Sequence, residues 1–142
     1  MNETIPEGYV PHGHRSPLTD PWEPLYSKTA ERALRLAVRV REAHCNSRKF
    51  VHGGLIGALA DNAMGLSVGL VLRGDSPQPE PHRGVTVNLA MDFLGSAQIG
   101  QWLEFQPRVL KVGKNLAFVD CVVLADSQVI ARANATFRIQ AT

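Results

Sequence analysis

From Asn46 to Leu70 runs the longest apolar stretch in the chain, and a single acidic residue, Asp61, interrupts it. The stretch reads as one helix entered through the turn His52-Gly53-Gly54. Leu55, Leu59, Leu66 and Leu70 fall near one helical stripe, and Ile56, Ala58, Ala60, Ala63 and Val68 cover much of the rest. A helix that is apolar nearly all round is buried on most sides. A bilayer span is a poor alternative, because Asp61-Asn62 sits mid-segment and such groups are costly in lipid.

The same stretch is chemically loaded. Gly53-Gly54 lets another group approach the backbone closely. The first N–H groups of a helix lack internal partners, and the dipole there favours negative charge. The turn can therefore hold an anion or a developing oxyanion. Gly57, Asp61, Gly65 and Gly69 share one i, i+4 stripe, so Asp61 is expected in a glycine-floored groove against which a ligand or a second chain can lie. A lone carboxylate on such a helix is a candidate general base. Each feature has a bland counterpart, tight packing for the glycines and a paired structural role for the acid. Their combination with Asn46 and His52 just upstream favours a site.

The remaining sequence bounds the architecture. The chain has 142 residues, enough for one domain with a proper core. A hydrophobic share of 44% and a charged share of 20% are globular values. A net charge of +2, with no basic run or aromatic platform, gives no case for nucleic acid. Cys45 and Cys121 have no CxxC spacing and define no disulfide framework. Met1 to Val10 lacks a signal pattern, so a cytoplasmic location is expected. Residues 1–24, rich in Pro, Gly and His, read as an irregular arm ahead of one domain over 25–142. Pro11-His12-Gly13-His14 has no matched carboxylate or cysteine pair nearby, so a solvated loop is expected there and no metal site. Tyr9, Trp22 and Leu25 are candidates to pack this region on the body or on a neighbouring subunit.

Ala33 to Arg41 alternates, with Leu34, Leu36, Val38 and Val40 on one face and Arg35, Arg39 and Arg41 on the other, as in a half-buried strand. Arg73 to Arg83, with three prolines, reads as a stiff exposed loop. Four strand-like segments follow. Val85, Val87, Leu89, Met91 and Phe93 form one face of the first, with Thr86, Asn88, Ala90 and Asp92 on the other. Gln101 to Val112 carries Pro107, a sign of a bulge or an edge. Leu116 to Ala125 comes next. The last has Val129, Ala131, Ala133, Ala135, Phe137 and Ile139 on one face. Strand, long helix and antiparallel meander together predict an α+β layer fold around a central helix.

Asn46, His52-Gly53-Gly54 and Asp61, followed by the strand Gly84-Val85-Thr86-Val87-Asn88-Leu89, resemble the hotdog-fold acyl-CoA thioesterases, most closely the PaaI-type branch of phenylacetic acid degradation. The resemblance covers about Glu23 to Arg138. It implies an antiparallel sheet wrapped around the helix, and a homodimer or homotetramer with active sites at the subunit interface. It implies an acyl-CoA or aryl-acyl-CoA substrate, with coenzyme A as part of that substrate rather than a cofactor, and no metal or membrane.

Position by position, the Gly53 N–H would stabilise the oxyanion. Asn46 would orient the carbonyl or bind water, and His52 would position the substrate or brace the turn. Asp61 of the partner subunit would be base or nucleophile. Thr86 stands where some relatives carry a serine that holds the attacking water. Gly54, Arg83, Lys111, Gly113 and Lys114 are the candidate substrate and coenzyme A contacts. The residue pattern leaves two alternatives open. One is a hotdog hydratase or dehydratase, the other a non-catalytic acyl-CoA-binding module, since fold does not fix function.

Overall fold

The computed structural model describes residues 4–74 and 82–141. The loop expected between Arg73 and Arg83 falls largely outside these residues, and so does the side chain of Arg83. One long helix, α1 (Gly53–Arg73), packs across a seven-stranded antiparallel sheet. The strands are β1 (Val10–Pro11), β2 (Tyr26–Ala30), β3 (Ala33–Arg39), β4 (His82–Phe93), β5 (Trp102–Val112), β6 (Leu116–Ala125) and β7 (Gln128–Ala141). Their spatial order is β1-β2-β3-β5-β6-β7-β4. This is the hotdog arrangement that the resemblance implied.

The helix begins later and ends later than the apolar run. Residues 46–52 form a turn instead, because His52 stays extended (φ −63°, ψ 131°) and caps the first turn. Arg73 sits in the last turn, where a cation complements the dipole. Leu55, Ile56, Leu59, Ala60, Ala63, Met64, Ser67 and Val68 are buried, while the residues between these pairs are half-exposed. The buried face packs on Leu36, Val38, Leu103, Phe105, Val119, Val123 and Ala131 of the sheet. The helix is long and apolar enough to cross a bilayer, but here that apolar face is spent on the sheet.

The glycine stripe is partly covered by the sheet, while Gly65 with Asp61 lines an open cleft. A Cβ on Gly57 would stand 3.4 Å from Met91 Sδ, and one on Gly65 would stand 3.4 Å from the Phe137 ring. The glycines let the β4 and β7 side chains press directly on the helix.

The expected meander holds only for β5-β6-β7. β4 pairs with β7 at the far side of the sheet, and its other edge has no partner among the described residues. Residues 94–101 return the chain from β4 to β5, passing the helix entrance, where the Val51 N–H donates to the Ala97 carbonyl at 2.9 Å. Three bulges revise the expected faces. The extra residue in β4 is Val87, since Thr86 opposes Phe137 and Asn88 opposes Thr136. Before the bulge the inward residues are Gly84 and Thr86; after it they are Leu89, Met91 and Phe93. In β7 the extra residue is Ile130, which is buried while Val129 turns out. In β5 the bulge falls at Leu110, not at Pro107. Pro107 lies beyond the last β3–β5 pair, Leu36 with Phe105, so its missing N–H costs that ladder nothing. Beyond that pair the helix takes over: Ser67 Oγ accepts from the Leu34 N–H at 2.9 Å and donates to the Ala63 carbonyl at 2.8 Å.

The arginine face of β3 is less wet than its alternation implied. Ala37 is buried there with Tyr9 and Trp102, whose rings meet edge to face at 5.3 Å. Tyr9 also donates to Glu104 at 2.5 Å, and burial followed by that carboxylate pushes its phenol well above the ordinary value. Tyr9 and the β1–β2 pairing thus hold the arm on the body. β1 and β2 are too short and irregular in pattern to be read from sequence.

Candidate active site

The helix entrance is built by local hydrogen bonds. Asn46 Oδ1 accepts from the N–H groups of Arg48 and Phe50, closing an Asx turn in which Lys49 takes φ +71°. The buried His44 accepts the His52 N–H at its carbonyl. His52 Nδ1 accepts the Gly54 N–H at 2.8 Å. His52 therefore braces the turn as an acceptor, and its Gly54 partner is occupied. Gly53 is the first residue of the helix, where the N–H has no intrahelical acceptor, and the Phe93 ring lies 3.4 Å from where its Cβ would be.

Asp61 lies farther along the same helix. Thr86 Oγ1 donates to Asp61 Oδ1 at 2.7 Å. The β4 bulge makes this contact possible, since unbroken alternation would aim Thr86 away from the helix. The carboxylate is half-buried and opens into a cleft of about 480 Å³ lined by His14, Asn62, Leu66, Thr86 and Phe137 among others.

The candidate residues thus form two groups. Asn46, His52, Gly53 and Gly54 gather at the end of the sheet where Phe93 lies. Asp61 and Thr86 gather toward the opposite end. The Lys111–Lys114 turn is at that second end, because Leu116 opposes Arg138 and Arg138 opposes Val85. Lys111 and Lys114 are exposed or nearly so, and the Gly113 N–H closes the hairpin on the Leu116 carbonyl at 2.8 Å. The backbone of Arg83 belongs to the same end through its pairing with Gln140. Eight residues of helix separate Gly53 from Asp61, about 12 Å at 1.5 Å per residue. One carbonyl carbon cannot touch both groups within a single chain.

Two cleft residues, His14 and Asn62, are picked out in the sequence but not as site residues. Asn62 could have been singled out as the second polar residue in an apolar helix. His14 reads from the sequence as part of a solvated loop, since its place beside Asp61 depends on the path of the whole arm. Among the described residues no three His, Cys, Asp or Glu side chains group as metal ligands.

The pattern of the thioesterase superfamily matches residues 49–131. The chain belongs to that superfamily, as the resemblance to its PaaI-type members implied, and is a thioester hydrolase. A Pseudomonas aeruginosa protein named as a candidate esterase is 38% identical over 136 residues, covering 95% of this chain and 97% of its own. Human acyl-coenzyme A thioesterase 13 is 33% identical over 101 residues, covering 70% of this chain and 67% of its own. A variant of the phenylacetic acid degradation protein PaaI from Thermus thermophilus shares the fold at a TM-score of 0.72. It is 21% identical and covers 87% of this chain and 98% of its own.

Proposed function

We propose that the protein is an acyl-CoA thioesterase whose active site is completed by a second copy of the chain. The separation of Gly53 from Asp61 carries this reading. Gly53 adjoins Phe93 at one end of β4, and Asp61 adjoins Thr86 toward the other. The outer edge of β4 is twelve residues long and carries exposed Val85 and Val87. Two such edges paired antiparallel about a dyad would set the Phe93 end of one chain beside the Thr86 end of its partner. Gly53 of one subunit then meets Asp61 of the other, twice over.

In that composite site the Gly53 N–H donates to the thioester oxygen as negative charge develops on it. Asp61, held by Thr86, either takes a proton from the attacking water or attacks the carbonyl to form a mixed anhydride that water then opens. In both routes the carbonyl carbon gains an oxygen and the C–S bond breaks. The departing thiolate takes up a proton, giving free acid and coenzyme A. Asn46 and His52 act by shaping the turn that presents Gly53. Lys111 and Lys114 supply positive charge at the Asp61 end for the phosphates of the carrier. The name of the human relative supports coenzyme A as that carrier.

Thiol release from a panel of aromatic and aliphatic acyl-CoA thioesters tests the reading. Asp61→Asn should lower turnover by about 10²–10⁴-fold, the usual range for losing a general base. Gly53→Pro removes the donor at a first helical position that accepts proline, and should also be nearly inactive. Mixed dimers of the two variants carry one intact pair, Gly53 from one chain and Asp61 from the other, and should regain activity. Turnover that survives Asp61→Asn, or mixtures no more active than their parents, would refute the composite site.

A further inference from the structure

We infer that His44 is a positioning residue for the reaction: its ring ties the N-terminal arm to the turn that presents Gly53, so the arm helps to set the oxyanion donor. This inference rests on the thioesterase reading of that donor. His44 ends a single 3-10 turn, Glu42–His44, and is 1% exposed, which keeps it from any substrate. It acts through other residues.

Both ring nitrogens are bonded to backbone. Nδ1 accepts the Arg41 N–H at 3.0 Å, so the ring proton sits on Nε2, which donates to the Trp22 carbonyl at 3.0 Å. Trp22 ends the one-turn helix of the arm, Asp20–Trp22. Arg41 adds a parallel tie, since its guanidinium donates to the Pro21 carbonyl at 3.0 Å. A leucine at position 44 would fill the space and bury no polar side-chain atom. It would also leave the Arg41 N–H and the Trp22 carbonyl without these partners, which is costly wherever water cannot replace them.

From the ring the constraint passes to the helix entrance. The His44 carbonyl accepts the His52 N–H at 3.0 Å. His52 in turn accepts the Gly54 N–H at its ring and the Ile56 N–H at its carbonyl. Gly53 lies between His52 and Gly54, one residue past the backbone that His44 holds. The chain from His44 to His52 closes on itself, because Cys45 pairs with Val51 and the Asn46 N–H donates to the Phe50 carbonyl at 2.7 Å. A shift of His44 against the arm therefore moves the turn as a unit, and Gly53 with it. The other anchor of the turn, the Val51 N–H on the Ala97 carbonyl, does not involve the arm. Losing the His44 ties thus tilts the turn rather than releasing it. Misplacing a catalytic group by about 1 Å can cost about 10²-fold in rate.

The test compares full-length wild type, His44→Leu and His44→Gln, each well below its unfolding temperature. A donor that acts as charge develops shows in kcat rather than in KM. In thiol release from an acyl-CoA, His44→Leu should lower kcat by about tenfold or more and leave KM within about threefold. His44→Gln, able to bond both the Arg41 N–H and the Trp22 carbonyl, should keep at least about a third of the wild-type kcat. Arg41→Ala removes the Pro21 tie and leaves the ring in place. It repeats the test if His44→Leu does not fold, and kcat should fall by about threefold or more. Amide spectra of glycine-labelled protein read the same geometry without turnover. The Gly53 and Gly54 resonances should move in His44→Leu and stay near wild type in His44→Gln, with Gly113 at the far hairpin unmoved in both. Wild-type turnover that is lost in Asp61→Asn but unchanged in His44→Leu would overturn the inference and leave the thioesterase reading standing. So would a lower unfolding temperature with unmoved Gly53 and Gly54 amides, the mark of a purely structural histidine. Wild type without turnover would instead overturn the thioesterase reading, and with it the catalytic role of His44.

Discussion

Replacing Thr86 with valine removes one hydroxyl and almost no volume, so it isolates the bond to Asp61. That bond is 2.7 Å long and joins a hydroxyl donor to a carboxylate. Hydrogen bonds to charged groups are worth about 1.5–3 kcal/mol net. Thr86 is exposed and Asp61 half-buried in the single chain, which places this one in the lower part of that range. About 1.5–2 kcal/mol corresponds to roughly a 10- to 30-fold loss in rate at 1.36 kcal/mol per factor of ten. The loss should fall on kcat, because the bond aims the carboxylate at the reacting carbon. Thermal unfolding should change little, since water from the cleft can replace the lost donor. Thr86→Ser keeps the hydroxyl and should stay within about threefold of wild type by the same energy scale. Steady-state thiol release with both variants makes the check. Full activity in the valine variant would show that the bond does not orient the acid. A serine variant as impaired as the valine one would show that the threonine methyl, rather than its hydroxyl, matters.

Ser67→Ala should destabilise the fold by about 1–3 kcal/mol, because it leaves the Leu34 N–H without its acceptor. Urea unfolding and faster exchange of that amide would show it, and a change under about 0.5 kcal/mol, the size of an ordinary surface substitution, would contradict it. Stability should also fall in mild acid. Burial, opposed by the Trp22 carbonyl and aided by Arg41, holds the His44 imidazole below its ordinary value of 6.5. Burial and the neighbouring His14 lower His12 in the same direction. The unfolded chain therefore takes up these protons first as pH drops. The stabilising contribution is complete above 6.5 and is lost progressively as pH falls toward the lower folded values. His44→Gln, able to bond both the Arg41 N–H and the Trp22 carbonyl, should flatten that slope in unfolding measured from pH 5 to 8, and an unchanged slope would count against His44.

Much of this protein is legible in the chain itself. The apolar run and its His52-Gly53-Gly54 entry mark the central helix, because burial and helix termini impose local patterns that any reader of residues can see. The α+β layering follows from one such helix beside alternating strands. Asp61 and Gly53 stand out for the same reason, as the features an apolar helix does not need for packing. Only tertiary structure decides the rest. β1 and β2 exist through pairing with neighbours rather than by their own pattern. Strand order depends on where a connection can cross, and it places β4 at the edge instead of beside β5. A one-residue bulge at Val87 reverses the face of Thr86 and so decides whether it can reach Asp61, a register event that alternation cannot foretell. His14 meets the cleft only because the arm is anchored elsewhere. Gly53 and Asp61 are named by sequence, but the helix rise of 1.5 Å per residue keeps them about 12 Å apart in one chain. Local pattern reports what each residue is suited to do; which residues meet is set by long-range pairing and packing.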